Sequence, residues 1–100
     1  MLALKTNITM GIDVGRADAA SIIQEALKRE LALFESRERL TLSDIADLEH
    51  KYVMTSDDFQ KKFEEGALGD DQDYFVWWGL LSGLKAIKIK KDKIKRMIIS

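Results

Sequence analysis

The first residues to consider for chemistry are His50, the only histidine, and Asp47, which lies three positions before it. This spacing places both side chains on one face of a helix, where they offer two ligands to a metal ion. Protein zinc sites use three or four ligands, so a further one must come from elsewhere in the chain. One histidine without a surrounding motif also gives no basis for a Ser–His–Asp triad. A surface histidine explains the pattern more simply.

The carboxylates are concentrated between residues 57 and 73, at positions typical of helix starts and exposed faces. Acids at helix starts interact favourably with the helix dipole, which explains them without catalysis. The loop at 66–71 contains glycines but lacks the Gly-Lys-Ser/Thr end of a phosphate-binding loop, and its acids do not have calcium-loop spacing. The chain has no cysteine, which excludes disulfides and thiolate metal sites. We therefore predict that it is not an enzyme and has no catalytic, cofactor or metal site.

One hundred residues predict a single domain, with a strand–helix dimerisation part at 1–40 and a helical part at 41–100. Charge is segregated along it: 1–40 are neutral, 41–75 carry ten acids and three bases, and 76–100 carry seven bases and one acid. Three interpretations of this segregation are open: the acidic and basic blocks attract each other, each block binds its own partner, or both are solvated surfaces. No apolar run has the length of a membrane span and no signal-peptide pattern is found, so we expect a cytoplasmic protein.

The N-terminal segment has the pattern of a β-strand. Apolar residues occupy the even positions from Leu2 to Val14, with Thr6 as the one polar gap. A period of two predicts a half-buried strand at about 2–14. No second strand of comparable pattern follows, and the backbone groups of a lone strand need partners. We therefore predict that the strand pairs with its copy in a homodimer.

Four helices are predicted after the strand, so the expected fold class is mainly α. The first runs from about 17 to 39, and its apolar stripe consists of Ala20, Ile23, Leu27, Leu31 and Phe34. The other three begin at pairs that resemble a capping box, namely Thr41 with Asp44, Thr55 with Asp58, and Asp70 with Asp73. Gly66 is expected to end the third helix.

The C-terminal segment, 85–100, fits two patterns. Its helical stripe consists of Leu84, Ile87, Lys91, Ile94 and Ile98, whereas the alternation of Ile87 and Ile89 with lysines fits a strand. Helix is favoured because no turn signal separates this segment from the fourth helix. Two interpretations of its lysines are open. They form a basic surface that binds nucleic acid or an acidic partner, or they form a solvated face whose side-chain stems cover the core.

Seven of the eight aromatic residues lie between 51 and 81, interspersed with acids. This composition is typical of a packed surface, either a small core or a socket for a partner. Trp77 and Trp78 point about 100° apart on a helix, so we predict that one is buried against Phe59, Phe63 and Leu48 while the other is partly exposed. The predicted partner-binding residues are Asp70, Asp71, Asp73, Tyr74, Trp77 and Trp78.

The segment KYVMTSDDFQKKFEEGALGDDQDYFVWW resembles a recurrent module of small prokaryotic proteins. The module has a helix ending in K-Y-x-M, then T/S-x-x-x-F, E-x-G-x-L-G-D-D and an aromatic W-W helix. Proteins of this kind resemble the antitoxins of two-gene toxin–antitoxin modules, such as those paired with TumE-type toxins. The resemblance covers about a third of the chain. It implies a nuclease-type toxin as partner, which this chain binds and neutralises through protein–protein interaction.

The N-terminal third is similar to ribbon-helix-helix repressors. It places Lys5, Asn7 and Thr9 on the polar face of a strand, followed by GRADAASIIQEALKREL. In that family paired strands enter the major groove, which implies DNA contacts by these three residues. The chain departs from the family because it lacks a first helix before Gly15 and because 1–40 has no net positive charge. We expect an antitoxin-like interaction protein, with a dimeric DNA-binding regulator as the alternative.

Overall fold

The computed structural model describes residues 15–98, which form three α-helices. Helix α1 spans Arg16–Tyr52, α2 spans Ser56–Glu64 and α3 spans Gln72–Met97. At a rise of 1.5 Å per residue, α1 is about 56 Å long and α3 about 39 Å. A mainly α fold is confirmed for 15–98, a range without strands. The strand predicted at 2–14 and its pairing in a homodimer lie outside the described residues.

Helix α1 is continuous over 37 residues, so the predicted division into two helices at Thr41 is wrong. Residues 16–52 contain neither glycine nor proline. Nine of the shielded positions of α1 recur at alternating steps of three and four residues across the predicted break. We call this stripe the seam: Gln24, Leu27, Leu31, Phe34, Glu38, Thr41, Ile45, Leu48 and Tyr52. This is the heptad spacing of a helix that packs along a neighbouring helix. A break at Thr41 would disrupt the packing on both sides of it.

Helix α3 is the neighbour, and it runs antiparallel to α1. At one end of the pair the Gln24 side chain donates a hydrogen bond to the carbonyl oxygen of Met97 at 3.1 Å. At the other end the Lys51 ammonium donates to the Asp73 carboxylate at 2.7 Å. The two long helices therefore form a hairpin, with α2 in the connection between them.

The predicted stripe of the first helix begins too early, because Ala20 and Ile23 are exposed and the seam starts at Gln24. The physical reason is the length of α3. It ends at Met97, which lies beside Gln24, so α3 does not continue along the preceding turns of α1.

The ends of α2 follow local sequence signals. The Thr55 hydroxyl accepts a hydrogen bond from the Asp58 N–H at 3.1 Å, which confirms the predicted start. The helix ends at Glu64, and Gly66 follows with φ of 70°. Glycine adopts this left-handed conformation without steric cost, so the predicted stop is also confirmed.

Helix α3 begins one residue later than the Asp70–Asp73 pair predicts. Its N-cap is Asp71, whose carboxylate accepts a hydrogen bond from the Asp73 N–H at 2.8 Å. An N-cap side chain reaches the N–H two or three residues after it, and Asp71 satisfies the nearer one. The helix then continues through 85–97, so the helical interpretation of the C-terminal segment is confirmed there and the strand alternative is wrong.

The core of this hairpin is small. The buried apolar side chains within 15–98 are Ile45, Phe59, Trp77 and Ile94. More large apolar side chains of the same range remain exposed, namely Ile22, Ile23, Leu33, Leu40, Leu42, Val53, Phe75, Val76, Ile89 and Met97.

An ion pair lies within the seam. The Lys91 ammonium donates to a carboxylate oxygen of Glu38 at 2.8 Å, and the two side chains are only 13% and 20% exposed. The hydrogen bond from Lys91 holds the pKa of Glu38 below its ordinary value, against an opposing effect of burial. A carboxylate with a lowered folded-state pKa stabilises the fold above its ordinary pKa. That contribution disappears as the pH falls through the folded-state value.

Replacing Lys91 with methionine should lower the urea midpoint at pH 7, because Glu38 is left shielded without its partner. The double replacement of Glu38 and Lys91 by leucine should recover most of the loss, because two apolar residues restore a continuous seam. Asp92 and Arg96 provide a matched control, since their ion pair at 2.7 Å is exposed. Asp92→Asn should leave the midpoint nearly unchanged. A double leucine variant that is less stable than the single methionine variant would contradict this prediction.

Candidate protein-interaction surface

The aromatic residues gather at the end of the hairpin where α1 meets α2 and α3 begins. Trp77 of α3 stacks on Phe59 of α2 with ring centroids 4.1 Å apart and planes within 4° of parallel. The Tyr52 ring at the end of α1 lies 6.1 Å from the Trp77 ring. The indole N–H of Trp77 donates to the Ser56 hydroxyl at 3.0 Å. All three helices are therefore joined through Trp77, which is fully buried.

The neighbouring tryptophan has a different environment. Trp78 is half-buried and stacks on Phe63 with centroids 5.0 Å apart. The prediction of one buried and one partly exposed tryptophan is therefore confirmed. Phe63, which we expected beside the buried ring, stacks on the half-buried one instead, because it lies four residues after Phe59 along α2.

The Asp73 side chain is held by hydrogen bonds from other residues of the same chain. Its carboxylate accepts hydrogen bonds from the Lys51 ammonium at 2.7 Å and from the Tyr52 hydroxyl at 2.6 Å. These two bonds hold the pKa of Asp73 below its ordinary value, and the bond to Asp73 raises the pKa of Tyr52. The contact therefore stabilises the fold above pH 3.8, the ordinary pKa of aspartate, and is lost as the pH falls through the folded-state value.

The structure places the predicted partner-binding residues in three environments. Asp70 and Asp71 are exposed, although Asp71 also caps α3. Asp73, Tyr74 and Trp78 are half-buried, whereas Trp77 is fully buried and offers no surface to a partner. The predicted DNA-contacting residues, Lys5, Asn7 and Thr9, lie outside 15–98.

Val53 is a surface feature that the sequence analysis did not identify. It follows the last residue of α1, its φ is +49° and its side chain is 91% exposed. The Met54 N–H bonds the Glu49 carbonyl oxygen at 3.1 Å, which is the arrangement that commonly places glycine at this position. A β-branched residue with positive φ is strained. The available signal was a valine in K-Y-V-M, directly after a helix, where glycine is the commonest residue with a left-handed conformation.

Further apolar and polar side chains are exposed at the same end of the hairpin. Phe75 is 57% exposed and meets Phe63 edge-on at 5.7 Å. A shallow groove between the end of α1 and the start of α2 is lined by Glu49, His50, Tyr52, Val53, Met54, Thr55, Asp58 and Lys62. Within the described range, no three His, Cys, Asp or Glu side chains are placed to hold a metal ion. The arrangement combines exposed apolar groups with carboxylates, which suits binding to a protein.

No family model, curated protein or solved structure matches this chain. The resemblances to antitoxins and to ribbon-helix-helix repressors therefore stay predictions. None of the helices within 15–98 combines the length and apolarity that crossing a membrane requires.

The half of the hairpin away from the aromatic residues carries a lysine-rich surface. Lys88 and Lys95 of α3 are exposed beside the Glu38–Lys91 ion pair, where they line a second groove with Asp92. Lys91 itself is part of the helix interface, as expected for a lysine whose stem covers the core. The acids of 41–75 and the lysines of 85–95 therefore lie in different halves of the hairpin.

Proposed function

We propose that this chain is a non-catalytic, antitoxin-like interaction protein that binds a basic partner protein and neutralises it. The binding surface is the acidic end, which we define as residues 53–76. It comprises the turn after α1, all of α2 and the start of α3. The observation that carries the proposal is Val53, an apolar residue that is both strained and exposed.

Strain at Val53 gives the isolated chain no advantage. A left-handed conformation costs about 1–2 kcal/mol for a residue other than glycine. The exposed side chain gains no packing within the described chain that offsets this cost. Strained residues often lie at binding sites, where the contact with another molecule explains the conformation. We therefore assign the Val53 side chain to the interface with the partner.

The charge of the acidic end indicates the chemistry of the partner. It carries seven acids and two lysines, a net charge of −5. The exposed carboxylates are those of Asp57, Asp58, Glu64, Glu65, Asp70 and Asp71. Exposed apolar groups inside a polar rim are the usual composition of a protein interface. A nuclease-type toxin, as the resemblance implies, would present a basic surface that complements these carboxylates.

The alternative function, transcriptional regulation by a ribbon-helix-helix dimer, depends on Lys5, Asn7 and Thr9. Because these residues lie outside the described range, no observation in 15–98 favours it. The two functions predict different ligands, a basic protein and a DNA duplex.

The test is co-expression with the product of the adjacent gene, the expected partner in a two-gene module. The neighbour alone should slow growth, and this chain should restore it. The two purified proteins should elute together in gel filtration. If the neighbour neither slows growth nor forms a complex, the antitoxin-like function is wrong. Binding to a duplex from upstream of the gene, without the neighbour, would favour the regulator.

Val53→Gly should stabilise the free chain while it weakens the complex. Removing the strain gains about 1–2 kcal/mol, and the added entropy of glycine in the unfolded chain costs about 0.5–1 kcal/mol. The free energy of unfolding should therefore rise by up to about 1.5 kcal/mol. A buried valine side chain contributes about 1.5 kcal/mol at an interface, so partner affinity should fall about tenfold.

Two controls accompany this variant. Val53→Ala keeps the β-carbon and its strain, so its stability should remain close to that of the natural chain. Ile89→Ala removes an exposed apolar side chain outside the acidic end, so partner affinity should be unchanged. If Val53→Gly binds the partner as tightly as the natural chain does, Val53 is not part of the interface.

A further inference from the structure

Helix α1 carries a second heptad stripe, which we call the outer stripe. It consists of Ala19, Ile22, Ala26, Arg29, Leu33, Ser36 and Leu40, again at alternating steps of three and four residues. Its three large apolar members are well exposed: Ile22 by 62%, Leu33 by 46% and Leu40 by 66%.

The outer stripe lies on the side of α1 that faces away from α3. Leu33 follows the seam residue Leu31 by two positions, and Leu40 follows Glu38 by two. Two positions correspond to a rotation of about 200° around a helix. Helix α3 covers the seam and leaves Ile22, Leu33 and Leu40 exposed, while Ala19 and Ser36 of the outer stripe are half-buried.

We infer that a second copy of this chain covers the outer stripe as an antiparallel coiled coil. The charge of α1 is compatible with a copy of the same chain as the occupant. Residues 16–40 carry five bases and five acids, so this part of α1 meets its own copy without net repulsion. The acidic end has a net charge of −5 and 76–100 a net charge of +6, so each of those regions repels its own copy.

The positions of Arg29 and the glutamates select the antiparallel orientation. In a parallel pair the two Arg29 side chains meet at one core position, and Glu25 faces Glu30 of the other copy. In an antiparallel pair Arg29 lies opposite Leu33, and Glu25 approaches Arg39 in two symmetric contacts, whereas Glu30 meets Glu30 of the other copy in only one. Ile22 then lies opposite Leu40, which places two large apolar side chains in one layer. The Ala26 layer pairs with Ser36, and these small side chains let the helices approach closely.

This inference is separate from the proposed function. The outer stripe ends at Leu40 and the acidic end begins at residue 53. Self-association and partner binding are therefore lost independently of each other.

Cysteine cross-linking tests the inference directly, because the natural chain has no cysteine. Ile22→Cys and Leu40→Cys, each oxidised alone, should give no covalent dimer above the background set by Ile89→Cys. A mixture of the two single variants should give a covalent dimer on a non-reducing gel. Cross-linking of each variant with itself would overturn the antiparallel orientation, and no cross-linking in any sample would overturn the interface.

Light scattering provides the second measurement. The natural chain should have about twice its monomer mass of 11.4 kDa. The double variant Leu33→Glu/Leu40→Glu should be monomeric with unchanged helicity by circular dichroism, because both side chains are exposed in the hairpin. Ile89→Glu, the matched control on α3, should remain a dimer. A dimer that survives the double variant but is lost on deletion of residues 1–12 would place the interface in the predicted strand and overturn the inference.

Discussion

Replacing Trp77 with alanine should lower the free energy of unfolding by about 3–5 kcal/mol, the usual cost of removing a buried aromatic ring. The indole is fully buried, stacks on Phe59 at 4.1 Å and bonds the Ser56 hydroxyl. Its loss removes the side chain of α3 that contacts both α2 and the end of α1. Because the hairpin has few other buried side chains, little apolar packing remains to compensate for the cavity that the indole leaves. Urea denaturation followed by circular dichroism measures the change.

Trp78→Ala is the matched control, because the two side chains are adjacent and chemically identical. Trp78 is only half-buried, so its loss should cost clearly less than that of Trp77. Iodide quenching gives an independent measurement on the single variants Trp77→Phe and Trp78→Phe. Iodide should reach the indole of Trp78 and not that of Trp77. Equal stability losses and equal quenching would show that the two rings share one environment.

The parts of this fold that the sequence predicted are those with local causes. The Thr55 cap, the Gly66 stop and the different environments of Trp77 and Trp78 follow from residues within a few positions of each other. Each depends on one turn of helix or one step of rotation. Such features keep the same physical basis whatever the rest of the chain does.

The continuity of α1 was missed because its cause is not local. Glu38 and Thr41 are polar residues in the middle of the seam, so in the sequence alone they interrupt the apolar stripe and suggest a break in the helix. Lys91, which is 53 residues away from Glu38 in sequence, makes that polar position part of the helix interface. The Thr41–Asp44 pair looks like a cap only when α3 is left out of account.

In the candidate site, too, the features with local causes were predicted and those that depend on distant residues were not. Acids near aromatic residues were a correct reason to expect a packed, charged surface between 51 and 81. The sequence did not show which acids are engaged inside the chain. Lys51 and Tyr52 can donate hydrogen bonds to Asp73 only when α1 and α3 pack side by side. The exposure of Val53 likewise depends on how α1 ends.

Leu42→Pro should distinguish a continuous α1 from two helices that meet at Thr41. In two helices with Thr41 as N-cap, residue 42 is the first helical position, where proline is well tolerated. In the continuous helix, proline at 42 removes a backbone hydrogen bond and clashes with the carbonyl group of Glu38, at a cost of about 3 kcal/mol or more. Because the Leu42 side chain is exposed, little of this loss comes from burial. Urea denaturation should therefore show a large decrease in stability.

Two variants isolate the backbone effect at position 42. Leu42→Ala removes the same side chain without disturbing the helix and should change stability only slightly. Gln72→Pro introduces proline at the true first position of α3, after Asp71 with φ of −60° and ψ of 132°. That backbone conformation suits a residue before proline, whereas the helical conformation of Thr41 does not. Gln72→Pro should be tolerated and Leu42→Pro should not. Equal tolerance at both positions would mean that α1 is interrupted at Thr41, and the seam would then consist of two shorter stripes.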